Sequence, residues 1–167
     1  MSDDSAAPNP YGTPGTSGPK PIGRAQGVTN LLVRTLLRVP GLSSVVGKRL
    51  VTLHVVGRKS GRTYDVPVAY TVHGQSLLIG TALRPWVKNL APGTPVTASR
   101  GGRPEQFDPL VHTGTDDVVH LFEVIARDNK TNAGFNGIGF DAEGNPNKAD
   151  IYQTWQQGGV VIELRPI

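Results

Sequence analysis

The sequence predicts a mainly β (α+β) domain: a small, partly open antiparallel barrel with flanking helices. Three observations carry that expectation. Short runs rich in β-branched residues recur at 51–56, 64–72, 76–81, 95–99, 105–112 and 159–164, with glycine-bearing turns between several of them. Among these strand runs one long stretch, 115–127, shows a sustained helical stripe, in Val118, Leu121, Phe122 and Ile125. Finally, 167 residues suit one domain with tails, and that is enough chain to bury a core.

In chain order, residues 1–23 are Ser/Gly/Pro-rich and too poor in apolar side chains to offset the entropy of ordering. They read as a disordered tail ahead of a barrel domain at 24–167. A basic amphipathic helix is expected at 29–38, with Arg34 and Arg38 four residues apart and Pro40-Gly41 ending it. It would pack on the core, or lie on a membrane surface and make a peripheral contact there. The strand at 51–56 alternates Thr52 and His54 with apolar neighbours. The strand at 64–72 contains Pro67, which cannot donate to a ladder and so predicts a sheet edge or a bulge. The turn His73-Gly74-Gln75 leads to the third strand, and Pro85 opens a short helix through Trp86 and Leu90 that Pro92-Gly93 closes. Gly101-Gly102 joins the next two strands. Thr115-Asp116-Asp117 is expected to cap the long helix, where its dipole favours acids. Residues 128–150 read as a long loop of the kind that serves as a lid, a binding loop or an insertion, 151–155 as a helical turn, and 159–164 as the last strand.

Composition excludes several functions. The chain has no cysteine, hence no disulfide framework and no thiolate chemistry. His54, His73, His112 and His120 are dispersed at spacings unlike metal-ligand motifs, so no metal is expected. There is no GxGxxG after a strand, no Walker loop and no nucleophile elbow. A net charge of +4 spread thinly, with aromatics at 6%, is a weak argument for nucleic acid, and no such partner is expected; a small anionic ligand or an acidic membrane surface fits as well. No secretory leader or membrane-length apolar run occurs, so the expected location is cytoplasmic, with membrane association through the 29–38 helix as the variant.

The stretch with most chemistry is Gly57-Arg58-Lys59-Ser60-Gly61, a basic turn between two strands. Glycines let backbone approach a ligand closely, and two cations with a hydroxyl make a seat for phosphate or carboxylate. Its bland alternative is a solvated hairpin tip. A chain with no metal set, thiol or triad legible in its sequence must borrow redox or transfer chemistry from its ligand, or have none.

Taken in order, Gly57-Arg58-Lys59-Ser60-Gly61, then Val66-Pro67-Val68, then Trp86-x-x-Asn89-Leu90 resemble the deazaflavin-dependent nitroreductase family, within the split β-barrel, FMN-binding-like superfamily. The resemblance covers about residues 50–100. It implies coenzyme F-420, an 8-hydroxy-5-deazaflavin, as cofactor in preference to FMN. It also implies hydride transfer to a quinone or nitroaromatic acceptor. By that resemblance Arg58, Lys59, Ser60 and Gly61 would hold the anionic tail, and Pro67 and Val68 would back the rings. Trp86 and Asn89 would close the pocket, and Tyr152 would supply a proton. The segment 81–85 is shorter than in many relatives, and Arg84 would stand in for a missing cation. Split barrels of this kind often form homodimers. A non-catalytic carrier of deazaflavin, flavin or a lipid-like ligand is the alternative function.

Overall fold

The computed structural model describes residues 7–19 and 49–167. The helix expected at 29–38, with the membrane contact it would make, lies outside the described residues. No described helix is long and apolar enough to cross a membrane.

Seven strands form a single antiparallel sheet: β1 (Leu50–Val56), β2 (Thr63–Ala69), β3 (Thr71–His73), β4 (Ser76–Ala82), β5 (Val96–Arg100), β6 (Arg103–His112) and β7 (Gly159–Pro166). Their order across the sheet is β2-β1-β5-β6-β7-β4-β3. The two edge strands, β2 and β3, are consecutive in the chain and separated by Tyr70 alone. The sheet therefore curls until its edges meet in one bent strand, which makes it the expected partly open barrel. The strand expected at 64–72 is this bent unit. Pro67 lies on the edge strand β2, where a missing N–H costs no ladder bond on the solvent side.

Strand alternation sorts the apolar residues into two cores. Val51, Leu53, Val55, Ile79, Phe107, Ile162 and Leu164 fill the barrel interior. Leu78 and Val161 point the other way, into a layer of helices α1 (Thr115–Asp128), α2 (Lys130–Phe135) and α3 (Lys148–Gln156). Phe122 and Ile125 of α1 press so closely on β4 that a Cβ on Gly80 would stand 2.6 Å from the Phe122 ring. This close approach explains a glycine in mid-strand. Asp116 and Asp117 occupy the first turn of α1 as expected, but the N-cap is Gly114 and Thr115 is already helical.

Residues 128–150 are not an open loop. Asn129 ends α1 and caps α2, its side chain accepting from the Asn132 N–H at 2.9 Å. Phe140 then bridges Pro146, and Asp141 accepts from the Asn145 and Glu143 N–H groups in the turn between them. These N–H groups, Asn145 first, hold the Asp141 carboxyl below its ordinary range.

Residues 7–19, placed by composition in the disordered tail, run as a strap along α3. Gly15 and Thr16 N–H groups donate to Asp150 Oδ1 at 2.7 and 3.1 Å, and the Gly139 N–H donates to Asp150 Oδ2 at 2.9 Å. Asn9 donates to the Ala149 carbonyl at 2.8 Å, and the Tyr11 ring lies 6.0 Å from that of Tyr152. Composition misses this because backbone groups, which carry no sequence signature, make much of the attachment: the Gly15 and Thr16 N–H groups on Asp150, and the Thr16 carbonyl that accepts from Gln153.

Candidate functional site

The turn after β1 is built by its own backbone. Gly57 N–H donates to the Arg62 carbonyl and Gly61 N–H to the Gly57 carbonyl, each at 2.8 Å. Gly61 takes φ +66°, a left-handed conformation that favours glycine. A Cβ on buried Gly57 would sit 2.7 Å from Ser60 Oγ and 3.0 Å from the Tyr64 ring. Ser60 Oγ accepts from the Arg62 N–H at 3.2 Å and pairs with the Tyr64 hydroxyl at 3.2 Å, so this hydroxyl shapes the turn. Arg58 and Lys59 are exposed and, with Arg62, have no acidic partner within ion-pair distance among the described residues.

A second segment meets this turn. A 3-10 turn, Val87–Asn89, plugs the same end of the barrel, with Val87 buried and Trp86 and Leu90 packed against the inner core beside Val66 and Val68. Asn89 Oδ1 accepts from the backbone N–H of Arg58 at 3.0 Å, while its Nδ2 donates to the Pro85 carbonyl at 3.3 Å. Residues far apart in the chain are thus held together by one side chain. Arg84 stands half-buried at the entry to this segment, its N–H donating to the Ala82 carbonyl at 2.8 Å.

Between turn and plug the barrel is split. β1 pairs β5 only through Thr52, Leu53 and His54, whereas it pairs β2 along its full length. Beyond His54 the two strands part around a cleft of about 100 Å³. His54, Val55, Val56, Asn89, Leu90, Thr94, Pro95 and Val96 line it. At the opposite end of the barrel, Arg100 grips Glu105 through two bonds of 2.9 and 2.7 Å and covers the Tyr70 ring at 5.9 Å. That bidentate hydrogen bonding holds the Glu105 carboxyl below its ordinary value and raises the guanidinium's. Among the described residues, the turn end of the barrel brings the unpaired cations Arg58, Lys59 and Arg62 beside the cleft.

Of the residues singled out from sequence, Arg58, Lys59, Ser60, Gly61, Trp86 and Asn89 come together here. Val68 faces the barrel interior with Trp86, while Pro67, one residue earlier, faces the other side of the sheet opposite Thr52. The two cannot present side chains to one face of a ring. Tyr152 is elsewhere: it is buried in the helix-layer core, 5.2 Å from the Trp155 ring and covered by Tyr11.

Sequence reasoning missed His54, which it read as a strand residue. Its Nδ1 lies 2.7 Å from Asp65 Oδ1 and its Nε2 2.8 Å from Ser99 Oγ. Asp65 stands directly opposite His54 in the β1–β2 register, a pairing that the turn length encodes. Nothing local to the sequence points to Ser99.

No protein-family model and no curated protein matches the chain. Solved structures do resemble it. A conserved hypothetical protein from Mycobacterium tuberculosis aligns with TM-score 0.51 and 13% identity, over 77% of this chain and 81% of that one. A structure described as a domain-swapped dimer aligns with TM-score 0.50 and 15% identity, over 83% and 96%. An F420 reductase reaches a TM-score of 0.40 at 18% identity over 77% and 96%, too distant to bear on chemistry. The first two likenesses support the architecture alone.

Proposed function

We propose that the chain binds a deazaflavin of the coenzyme F-420 type and serves hydride transfer to a quinone or nitroaromatic acceptor. The observation that carries this reading is the Arg58–Asn89 bond, which joins the basic turn to the tryptophan segment, two of the three motifs behind the family resemblance. Arg58, Lys59 and Arg62 fit the phosphodiester and carboxylates of such a cofactor's tail, as charge-assisted donors with no competing acid among the described residues. Arg84 would reach the same anions from the plug side.

The ring has a different seat. A cleft of about 100 Å³ is below the ~300–1,000 Å³ of ordinary cofactor pockets. The ring would lie along the unpaired edge of β2 near Pro67 and Val68, with Trp86 beside it, and a second copy of the chain would complete the enclosure. When bound, the deazaflavin supplies a two-electron hydride carrier. The chain's own residues hold the anionic tail, orient the ring edge and exclude water; Tyr152, within the other core, has no part in this reading.

Fluorescence titration with coenzyme F-420, with FMN in parallel, tests the proposal, followed by turnover of the reduced cofactor with a quinone. Preferential deazaflavin binding with turnover is expected. Binding without turnover would leave a carrier, and binding of neither flavin would overturn the reading.

A further inference from the structure

The outer face of β2-β1-β5 carries an arrangement that hydride transfer does not use. Asp65, His54 and Ser99 come from three adjacent strands and form one chain of hydrogen bonds, 2.7 Å from Asp65 Oδ1 to His54 Nδ1 and 2.8 Å from His54 Nε2 to Ser99 Oγ. Antiparallel pairing fixes all three: Asp65 is opposite His54, and His54 opposite Thr97, so Ser99 is its diagonal neighbour. A carboxylate can only accept, so Nδ1 carries the hydrogen given to Asp65, and in the neutral imidazole Nε2 then accepts from the Ser99 hydroxyl. That is the polarity required to activate a serine. Imidazole and hydroxyl are half-buried, whereas Asp65 is largely exposed.

We propose that Ser99 is an acyl-accepting nucleophile served by His54 as general base, with Asp65 as the residue that positions the imidazole, and that its substrates are small carboxylic esters that approach from solvent. An ester reaches Ser99 from the open outer face of the sheet: the cleft at the β1–β5 split takes His54 into its wall but neither Ser99 nor Thr97, so no enclosed acyl pocket among the described residues adjoins the hydroxyl. Thr97, on the same face as Ser99, accepts from Gln106 Nε2 at 2.8 Å, which leaves its own hydroxyl hydrogen for a developing oxyanion.

The step balances without a cofactor. Ser99 Oγ attacks the ester carbonyl as its proton passes to His54 Nε2. The ester C–O bond breaks, and the leaving alcohol takes that proton. Water, deprotonated by His54, then attacks the acyl-serine, and the proton returns to Ser99 as the carboxylic acid leaves.

The test treats the full chain with a fluorophosphonate and, separately, with p-nitrophenyl butyrate. Mass spectrometry locates the adducts, and Ser60 and Ser76 in the same digest serve as internal controls. We expect the adduct on Ser99 and on neither control. His54→Gln should slow labelling by about 10²-fold or more, the scale of general-base catalysis. Asp65→Asn should slow it less, with partial rescue in Asp65→Glu, while circular dichroism shows each variant folded. Labelling spread equally over the serines would overturn the proposal, as would Ser99 labelling indifferent to His54→Gln. Flavin binding is read separately, so failure here leaves the reading of the basic turn untouched.

Discussion

A single amide defines the candidate site at the residue scale. Asn89 accepts the Arg58 N–H and so fixes where the cations of the turn point. Asn89→Ala should cost about 1 kcal/mol of stability, the net value of one hydrogen bond, yet weaken coenzyme F-420 binding as the turn loosens. Urea unfolding and fluorescence titration of the same variant separate the two effects. Lys59→Ala removes a charge without touching the turn's backbone, and we expect a loss of about 1.5–3 kcal/mol in cofactor binding with unchanged unfolding. An unchanged affinity would put the turn outside the site. Gly57→Ala acts differently: its Cβ would collide with Ser60 Oγ and crowd the Tyr64 ring, so a cost of about 1–3 kcal/mol should appear in stability as well as binding. Of these roles, the basic turn was legible in the sequence because charge and glycine are local properties. Asn89's grip on it was not, since an asparagine at a helix end more commonly serves its own helix.

Among the elements, the strap of residues 7–19 departs most from expectation. Its attachment centres on Asp150, 1% exposed, whose carboxylate accepts two N–H groups from the strap and one from Gly139. Asp150→Ala would leave those donors unpaired and should cost about 2–4 kcal/mol, measured by chemical denaturation. Deleting the strap should cost less, because the Gly139 bond stays, but should expose Tyr152 and Gln153; hydrogen exchange along α3 would rise. A strap deletion that left α3 protection unaltered would contradict the role assigned here. The contact between α1 and the β6–β7 pair carries a pH dependence. His112 lies 2.9 Å from Glu163 on β7 and 3.6 Å from Asp117 on α1. Burial would raise the Glu163 carboxyl, but hydrogen bonds from His112 and Ser76 and the charges of His112 and Arg165 outweigh it, and its pKa falls below the ordinary 4.5. A depressed carboxyl stabilises the fold above its unfolded-state value, and the contribution is lost as pH falls through the folded one. The stability gap between wild type and Glu163→Gln should therefore persist at neutral pH and shrink below about pH 4.5.

For the whole molecule, one sheet serves two cores. β7 sends Val160, Ile162 and Leu164 into the barrel and Val161 into the helix layer, so neither core can lose its packing without disturbing the other. Phe107→Ala in the barrel and Phe122→Ala under the helices should each cost about 3–5 kcal/mol. Each should shift one common transition in urea, followed by tryptophan fluorescence and far-ultraviolet dichroism together; two separated transitions would mean that the cores unfold independently. The strand runs, the long amphipathic helix, the edge character of the Pro67 strand and the basic turn could all be read from the sequence. Each of these follows from periodicity, a missing N–H or clustered charge within a few residues. Only the tertiary structure decided that the 64–72 strand bends at Tyr70 to close the sheet, that the strap is held, and that Tyr152 lies away from the turn. It alone aligned Asp65, His54 and Ser99. Those outcomes depend on register between strands and on backbone hydrogen bonds over long separations, and neither leaves a mark in local sequence.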